Sequence, residues 1–177
     1  PTHAFDLDKI HGKLSIEKLQ KKNNFIGIDN KEYIVAKGTE VIVDEKNIIH
    51  ALPGVIGSNI SKVDIETKNI LFEGAFFLPD VVRALSRKYR IQTDSSYRFE
   101  RGVDFKIQEL ALKRASALLK ETVGGDFSSV ASSSLKNQFP KHKEISLDLE
   151  RSNKILGTNI SKKSAIRYLK GLGLNPK

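Results

Sequence analysis

The sequence predicts an α+β fold. Its first half breaks into short runs of β-branched residues separated by turn signals, which reads as strands. Its second half has apolar residues recurring at helical spacing. The composition, 39% hydrophobic and 29% charged with both signs present, can supply a core and argues against disorder.

Residues 3–10 alternate loosely and form a short strand or turn, broken at Gly12. Leu14, Ile16 and Leu19 give weak strand spacing, and Lys21, Lys22, Asn23 and Asn24 interrupt it. Residues 25–28 and 32–36 read as two strands around the turn Asp29-Asn30-Lys31. After a further turn at 37–39, residues 41–43 and 48–52 flank Asp44-Glu45-Lys46-Asn47 as a second hairpin. Pro53-Gly54-Val55-Ile56-Gly57-Ser58 has the spacing of an ordinary β-turn, although its glycines also allow close backbone approach. Residues 69–77 form an apolar strand carrying one carboxylate, Glu73. Such a carboxylate is either exposed at an edge or buried with a partner, and spacing alone favours the edge.

Pro79 opens a helix with Val81, Val82 and Leu85 inward and Arg83, Arg87 and Lys88 outward. Residues 93–102 read as a polar loop dense in hydroxyls and charges, the place where binding groups are usually carried. Asp104 is placed to cap the next helix, whose face is Ile107, Leu110, Ala111, Ala115 and Leu118, and Gly124-Gly125 ends it. A linker is expected over 132–143. Residues 144–150 alternate strictly and predict a strand, and a short helix over 151–156 stops at Gly157. Ser161 caps a last helix with Ala165, Ile166, Leu169 and Leu172 on one side.

The formal net charge of +9 and a pI near 9.6 favour a polyanionic partner, nucleic acid first, while charge alone leaves open a basic surface with no such partner. No cysteine is present, so disulfides and thiolate metal sites are excluded. No apolar run approaches the roughly 20 residues of a membrane helix. The chain of 177 residues has no methionine, even at position 1, and is expected to be excised from a longer protein. The length suits one domain plus part of a second, with 1–131 as the first and 144–177 as the truncated start of the next.

Four segments together carry a family resemblance: Pro1-Thr2-His3-Ala4-Phe5-Asp6-Leu7, Leu52-Pro53-Gly54-Val55-Ile56-Gly57, residues 69–77, and Thr93-Asp94-Ser95-Ser96-Tyr97-Arg98-Phe99-Glu100-Arg101-Gly102-Val103-Asp104. In order and spacing they resemble the β subunit of bacterial phenylalanyl-tRNA synthetase. Residues 1–131 resemble its B3/B4 editing domain, lacking the N-terminal part, and 144–177 the start of its B5 domain. Thr2 and Ser58 stand where the family pattern has Leu and Gly.

The resemblance implies a layered β/β/α editing domain, with short-strand sheets packed against two helices, followed by the first part of a small α/β domain. It implies hydrolysis of mischarged Tyr-tRNA(Phe) by water attack on the aminoacyl ester; with no cysteine and no evident Ser–His–Asp grouping, neither a metal nor a covalent intermediate is expected. His3 would act near the ester or its water. Glu73 would receive the tyrosine hydroxyl, which reverses the edge reading. Gly57 would leave space in the pocket. Thr93 would bond substrate or water, and Ser95 would stay small beside it. Asp94, Arg98, Glu100 and Arg101 would brace the segment. ATP and Mg2+ would serve the whole synthetase outside this fragment. The implied partners are tRNA(Phe), its tyrosyl form and the α subunit in an (αβ)2 heterotetramer, all cytoplasmic. Whether the fragment alone edits stays open. So does the other reading, a non-catalytic basic module docking tRNA or a subunit through Arg83, Arg87, Lys88, Arg90, Lys113, Arg114 and Lys120.

Overall fold

Strands form where the β-branched runs meet turn residues: β1 (His3–Asp6), β2 (Ser15–Lys18), β3 (Asn23–Ile26), β4 (Glu32–Val35), β5 (Glu40–Val43), β6 (Ile49–Leu52), β7 (Ile56–Gly57) and β8 (Ile70–Glu73). The computed structural model describes residues 1–135, 139–140 and 144–177. They fall into two units, Pro1–Ser134 and Leu135–Lys177. In the first unit, β2-β5-β6-β7 form an antiparallel sheet, while β1-β8 and β3-β4 form separate two-stranded ribbons. Asn30 and Asn47 take φ 62° in the turns between β3 and β4 and between β5 and β6, a conformation asparagine tolerates. Asp44 secures the second turn, its Oδ1 accepting from the backbone N–H of Lys46 and Ile48, each at 3.0 Å.

Three helices follow in this unit: α1 (Pro79–Tyr89), α2 (Asp94–Phe99) and α3 (Gln108–Thr122). Pro79 starts α1 without sacrificing a hydrogen bond, and Arg90 in the left-handed region ends it. Val82 and Leu85 of α1 meet Val35, Val41, Val43 and Leu52 of the strands in one buried cluster, closed by Ile91 and Phe99. The second unit holds α4 (Leu149–Leu156), capped by Asp148, and α5 (Lys162–Gly171), capped by Ser161. Among the described residues no helix is long and apolar enough to cross a membrane.

The α+β class is as expected, with five corrections. The polar loop at 93–102 contains α2, so the first unit has three helices rather than two. Ser, Thr and Asp are poor interior helix formers but strong caps, and Thr93 and Ser96 form a capping box that starts this short helix. The strand expected over 69–77 pairs only as far as Glu73. Asp104 does not cap α3. It holds a turn through Lys106 N–H at 2.9 Å, and the helix begins at Gln108. The face of α3 also differs. Ala111 and Ala115 are half-buried as expected, but Ile107, Leu110 and Leu118 are exposed, while Leu112 and Leu119 turn inward. Gly74 explains the choice, since a Cβ there would lie 2.8 Å from Leu112 Cγ. Leucines on two faces made periodicity ambiguous, and the gap at Gly74 decides between them. Finally, residues 144–148 form no strand. No strand lies beside them among the described residues, and Asp148 Oδ1 accepts from Arg151 N–H at 3.0 Å, which draws Leu149 and Glu150 into α4. The linker over 132–143 lies partly outside the described residues.

Leu52, fully buried where the sheet meets α1, tests this core. Leu52→Ala should lower the unfolding free energy by about 2–5 kcal/mol, read as a lower denaturant midpoint at unchanged slope.

Candidate functional site

The register of the β1-β8 ribbon sets His3 directly opposite Glu73. Directly opposed residues share a face of the ribbon, so both side chains leave it on the same side. The β6-β7 connection brings a second element to that side. Pro53, Gly54 and Val55 turn the chain, and Gly54 takes φ 68°, which a β-carbon would resist. A Cβ on Gly54 would also lie 2.9 Å from Val82 Cγ2 and 3.0 Å from Phe77 Cδ2, so the turn sits close against the core. The third element is the start of α2.

These elements enclose a cavity of about 190 Å³. His3, Gly57, Glu73, Thr93, Asp94 and Ser95 all line it. Apolar walls come from Ile28, Leu52, Val55, Phe77 and Phe99. Arg98, Glu100 and Arg101 do not reach it. The cavity is smaller than the roughly 300–1,000 Å³ of pockets that bury drug-sized ligands. Among the described residues no group of three or more His, Asp or Glu is placed to hold a metal ion.

Burial sets the charge state of the two polar groups. Desolvation pushes the Glu73 carboxyl up to about 7. The same cause lowers His3, which is packed edge-on to Phe5 with ring centroids 4.4 Å apart. No neighbouring charge contributes to either shift. At neutral pH the imidazole is therefore uncharged and Glu73 is close to half ionised.

Thr93 is more committed than expected. Its hydroxyl donates to Val55 C=O at 2.7 Å and accepts from Ser96 N–H at 3.0 Å. Ser96 Oγ in turn accepts from Thr93 N–H at 2.9 Å. One lone pair of the Thr93 hydroxyl remains for another donor. Ser95 Oγ donates to Gly54 C=O at 3.1 Å, so both hydroxyls tie α2 to the turn. The arginines brace α2 chiefly through backbone carbonyls. Arg98 Nη1 donates to Asp94 C=O and Arg101 Nη1 to Tyr97 C=O, both at 2.9 Å. Arg101 also pairs with Glu100 at 2.5 Å and lies over the Tyr97 ring at 3.6 Å. Asp94 is fully exposed and stands 3.8 Å from Arg98, a loose pair. Arg83 of α1 adds a brace that sequence reasoning missed, donating to Glu100 C=O at 2.7 Å.

Ser96 and Gly54 were also missed as site residues. Ser96 is fully buried, and its hydroxyl closes the capping box. The signal was present as Thr93 followed three residues later by a hydroxyl that can reach back. Gly54 was read only as a turn residue.

The fold and cavity define an α+β domain that presents a desolvated carboxyl and imidazole to an apolar-walled cavity. A family model for the B3/4 domain matches residues 1–124, and the chain belongs to that family. It is 37% identical over 174 residues to the phenylalanine–tRNA ligase beta subunit of Vibrio cholerae, covering 98% of this chain and 22% of that protein. It is 40% identical over 161 residues to the subunit of the same name from Fusobacterium nucleatum, covering 91% and 20%. The Neisseria meningitidis serogroup B subunit is 34% identical over 176 residues, covering 99% and 22%. The chain thus spans about a fifth of the length of these relatives.

Thr93→Ala removes the cap and leaves the Val55 carbonyl without its hydroxyl donor. It should destabilise the fold by about 1–2 kcal/mol, with Thr93→Ser restoring most of this in thermal or denaturant unfolding. Glu73 also predicts a pH dependence. Its folded pKa, about 7, lies above the ordinary 4.5, so the folded state binds this proton more tightly. Its contribution is fully present below about pH 4.5 and is lost as pH rises through about 7. Relative to Glu73→Gln, the wild type should lose up to about 3 kcal/mol across that window, measured by urea unfolding at several pH values.

Proposed function

We propose that this chain is the editing part of a phenylalanine–tRNA ligase beta subunit and that its cavity takes the tyrosyl group of mischarged Tyr-tRNA(Phe). The observation that supports this most is Glu73, a carboxyl desolvated in an apolar-walled cavity. Tyrosine and phenylalanine differ by one hydroxyl, and an apolar synthetic pocket rejects an added hydroxyl poorly. A second site needs to select the hydroxyl positively. With tyrosine, ionised Glu73 accepts a charge-assisted hydrogen bond from the phenol. With phenylalanine, Glu73 stays desolvated and unpaired.

The reaction is hydrolysis of the aminoacyl ester. A water oxygen bonds to the carbonyl carbon, the ester C–O bond breaks, and the terminal ribose hydroxyl of the tRNA leaves with a proton. His3, uncharged at neutral pH, positions that water or accepts its proton. Thr93 uses its remaining lone pair to accept a hydrogen bond from the water. Its donor stays on Val55, so its larger role is to hold the wall. Ser95 keeps that wall small, and Asp94, Arg98, Glu100 and Arg101 keep α2 in place. The exposed basic residues Arg87 and Lys88 of α1, Arg90 at its C-cap, and Lys113, Arg114 and Lys120 of α3 suit a polyanion such as tRNA. The whole enzyme would be a cytoplasmic (αβ)2 heterotetramer with the α subunit, making Phe-tRNA(Phe) with ATP and Mg2+ held outside this chain.

Glu73→Ala in the full synthetase should slow deacylation of Tyr-tRNA(Phe) by about 10- to 100-fold, the range of one charge-assisted hydrogen bond. Phenylalanine charging should survive. Deacylation of Tyr-tRNA(Phe) at the wild-type rate by this variant would remove Glu73 from the site.

A further inference from the structure

Gly57 is a glycine whose backbone does not need to be one. It lies in β7, paired in register with Ala51 of β6, and is outside the left-handed region. Glycine inside a strand loses more conformational entropy on folding than other residues and offers nothing to pack. Where it persists, the usual reason is that another group comes close to its α-carbon. The structure shows which group does so. A Cβ built on Gly57 would lie 2.6 Å from His3 Nε2 and closer still to His3 Cε1. No real β-carbon sits at such distances from a ring, so the imidazole occupies the space that a side chain at 57 would need.

We infer that Gly57 is a positioning residue that seats the His3 imidazole, rather than one that merely keeps the pocket open for substrate. The inference rests on the editing reading for its consequence, although the seating itself does not depend on it. His3 is held from three directions. β1 fixes its backbone opposite Glu73, Phe5 packs against its ring, and Gly57 lies beneath its Cε1–Nε2 edge. Phe5 is itself fully buried and stands edge-on to the buried His50 at 6.4 Å, so the ring cannot easily be displaced toward that side. A methyl at 57 therefore forces the imidazole outward, toward the cavity and solvent. Both the aim of Nε2 and the desolvation of the ring then change together.

The alternative is that residue 57 acts on substrate directly, and a double-mutant cycle separates the two. Gly57→Ala, His3→Ala and the pair are made in the full synthetase, and single-turnover deacylation of Tyr-tRNA(Phe) is measured. Gly57→Ala alone should slow it about 10- to 100-fold, the effect of misplacing a catalytic group by about 1 Å. In the His3→Ala background the same methyl has room and should slow it less than twofold further. A full additional loss in that background would show that residue 57 limits substrate and would overturn the inference.

A second measurement reads the seating without activity. In this chain, labelled at its four histidines, the His3 resonance is assigned by its loss in His3→Gln. Gly57→Ala should shift that resonance and return its titration toward the ordinary histidine range. An unchanged His3 titration overturns the seating whatever the activity. If Gly57→Ala alone fails to fold, adding His3→Ala should restore folding, and a double variant that remains unfolded also overturns it. A wild-type synthetase that leaves Tyr-tRNA(Phe) intact would instead defeat the editing reading, with the resonance still reporting on the seating.

Discussion

The carbonyls of Gly54 and Val55, in the turn between β6 and β7, accept hydrogen bonds from the hydroxyls of Ser95 and Thr93. This pair of bonds joins two parts of the chain about forty residues apart in sequence. Each half depends on the other. The turn needs a glycine at 54 twice over, since its φ is positive and a β-carbon there would meet Val82, Phe77 and Phe99. The helix α2 has six residues, too few to be stable alone, and it exists because its cap is built and its first turn is pinned. The cavity is the space left between the pinned helix and the β1-β8 ribbon. Its shape is therefore set by polar bonds at its rim and by apolar packing below.

Glu73 is half-buried, so the reading that placed it exposed at an edge fails for its side chain although it holds for the strand. Residue spacing favoured an edge position, and the family resemblance required a buried one. β8 belongs to a two-stranded ribbon, so it is an edge in its hydrogen-bonding direction. Side chains leave a strand perpendicular to that direction, and Glu73 faces the cavity. Asp44 makes the contrast plain. It is as deeply buried as a carboxylate can be, and burial alone would raise its pKa. The Ile48 N–H, the nearby His50, and His11 through both backbone and ring hold its carboxyl well below the usual range instead. Asp44 is a satisfied structural acid. Glu73 has only the desolvation, which marks a group awaiting a partner.

Much of this was legible in the sequence. The hairpins around Asn30 and Asn47, the start of α1 at Pro79 and the cap of α5 at Ser161 follow from local chemistry that each residue carries with it. His3, Gly57, Glu73, Thr93 and Ser95 come together in one cavity, but the residues alone did not say so, and only the family resemblance gathered them. What stayed hidden depended on contacts distant in sequence. α2 looked like a loop because the same hydroxyls serve turns and caps. The buried face of α3 depended on the missing side chain at Gly74. The alternation over 144–150 was real, but alternation specifies a strand only when another strand is present to pair with it.

The arrangement of the site follows from one physical trade. Partly withdrawing Glu73 and His3 from water without giving either an opposite charge destabilises the fold, most strongly where Glu73 would be ionised. Under the proposed editing function, that same desolvation is what would make the phenol hydroxyl worth recognising, since a hydrogen bond to a solvated carboxylate would discriminate little between tyrosine and phenylalanine. It also lowers the pKa of the imidazole, which favours the neutral ring with its free nitrogen lone pair. A partner charge for Glu73 would offset the cost of its desolvation and, under the proposed function, erase the selectivity. The braces on α2, the buried Phe5 and the bare α-carbon of Gly57 all lie around these two groups without neutralising them. Stability is supplied by the cluster at Leu52 and Val82, while the cavity leaves its two desolvated groups without an opposite charge.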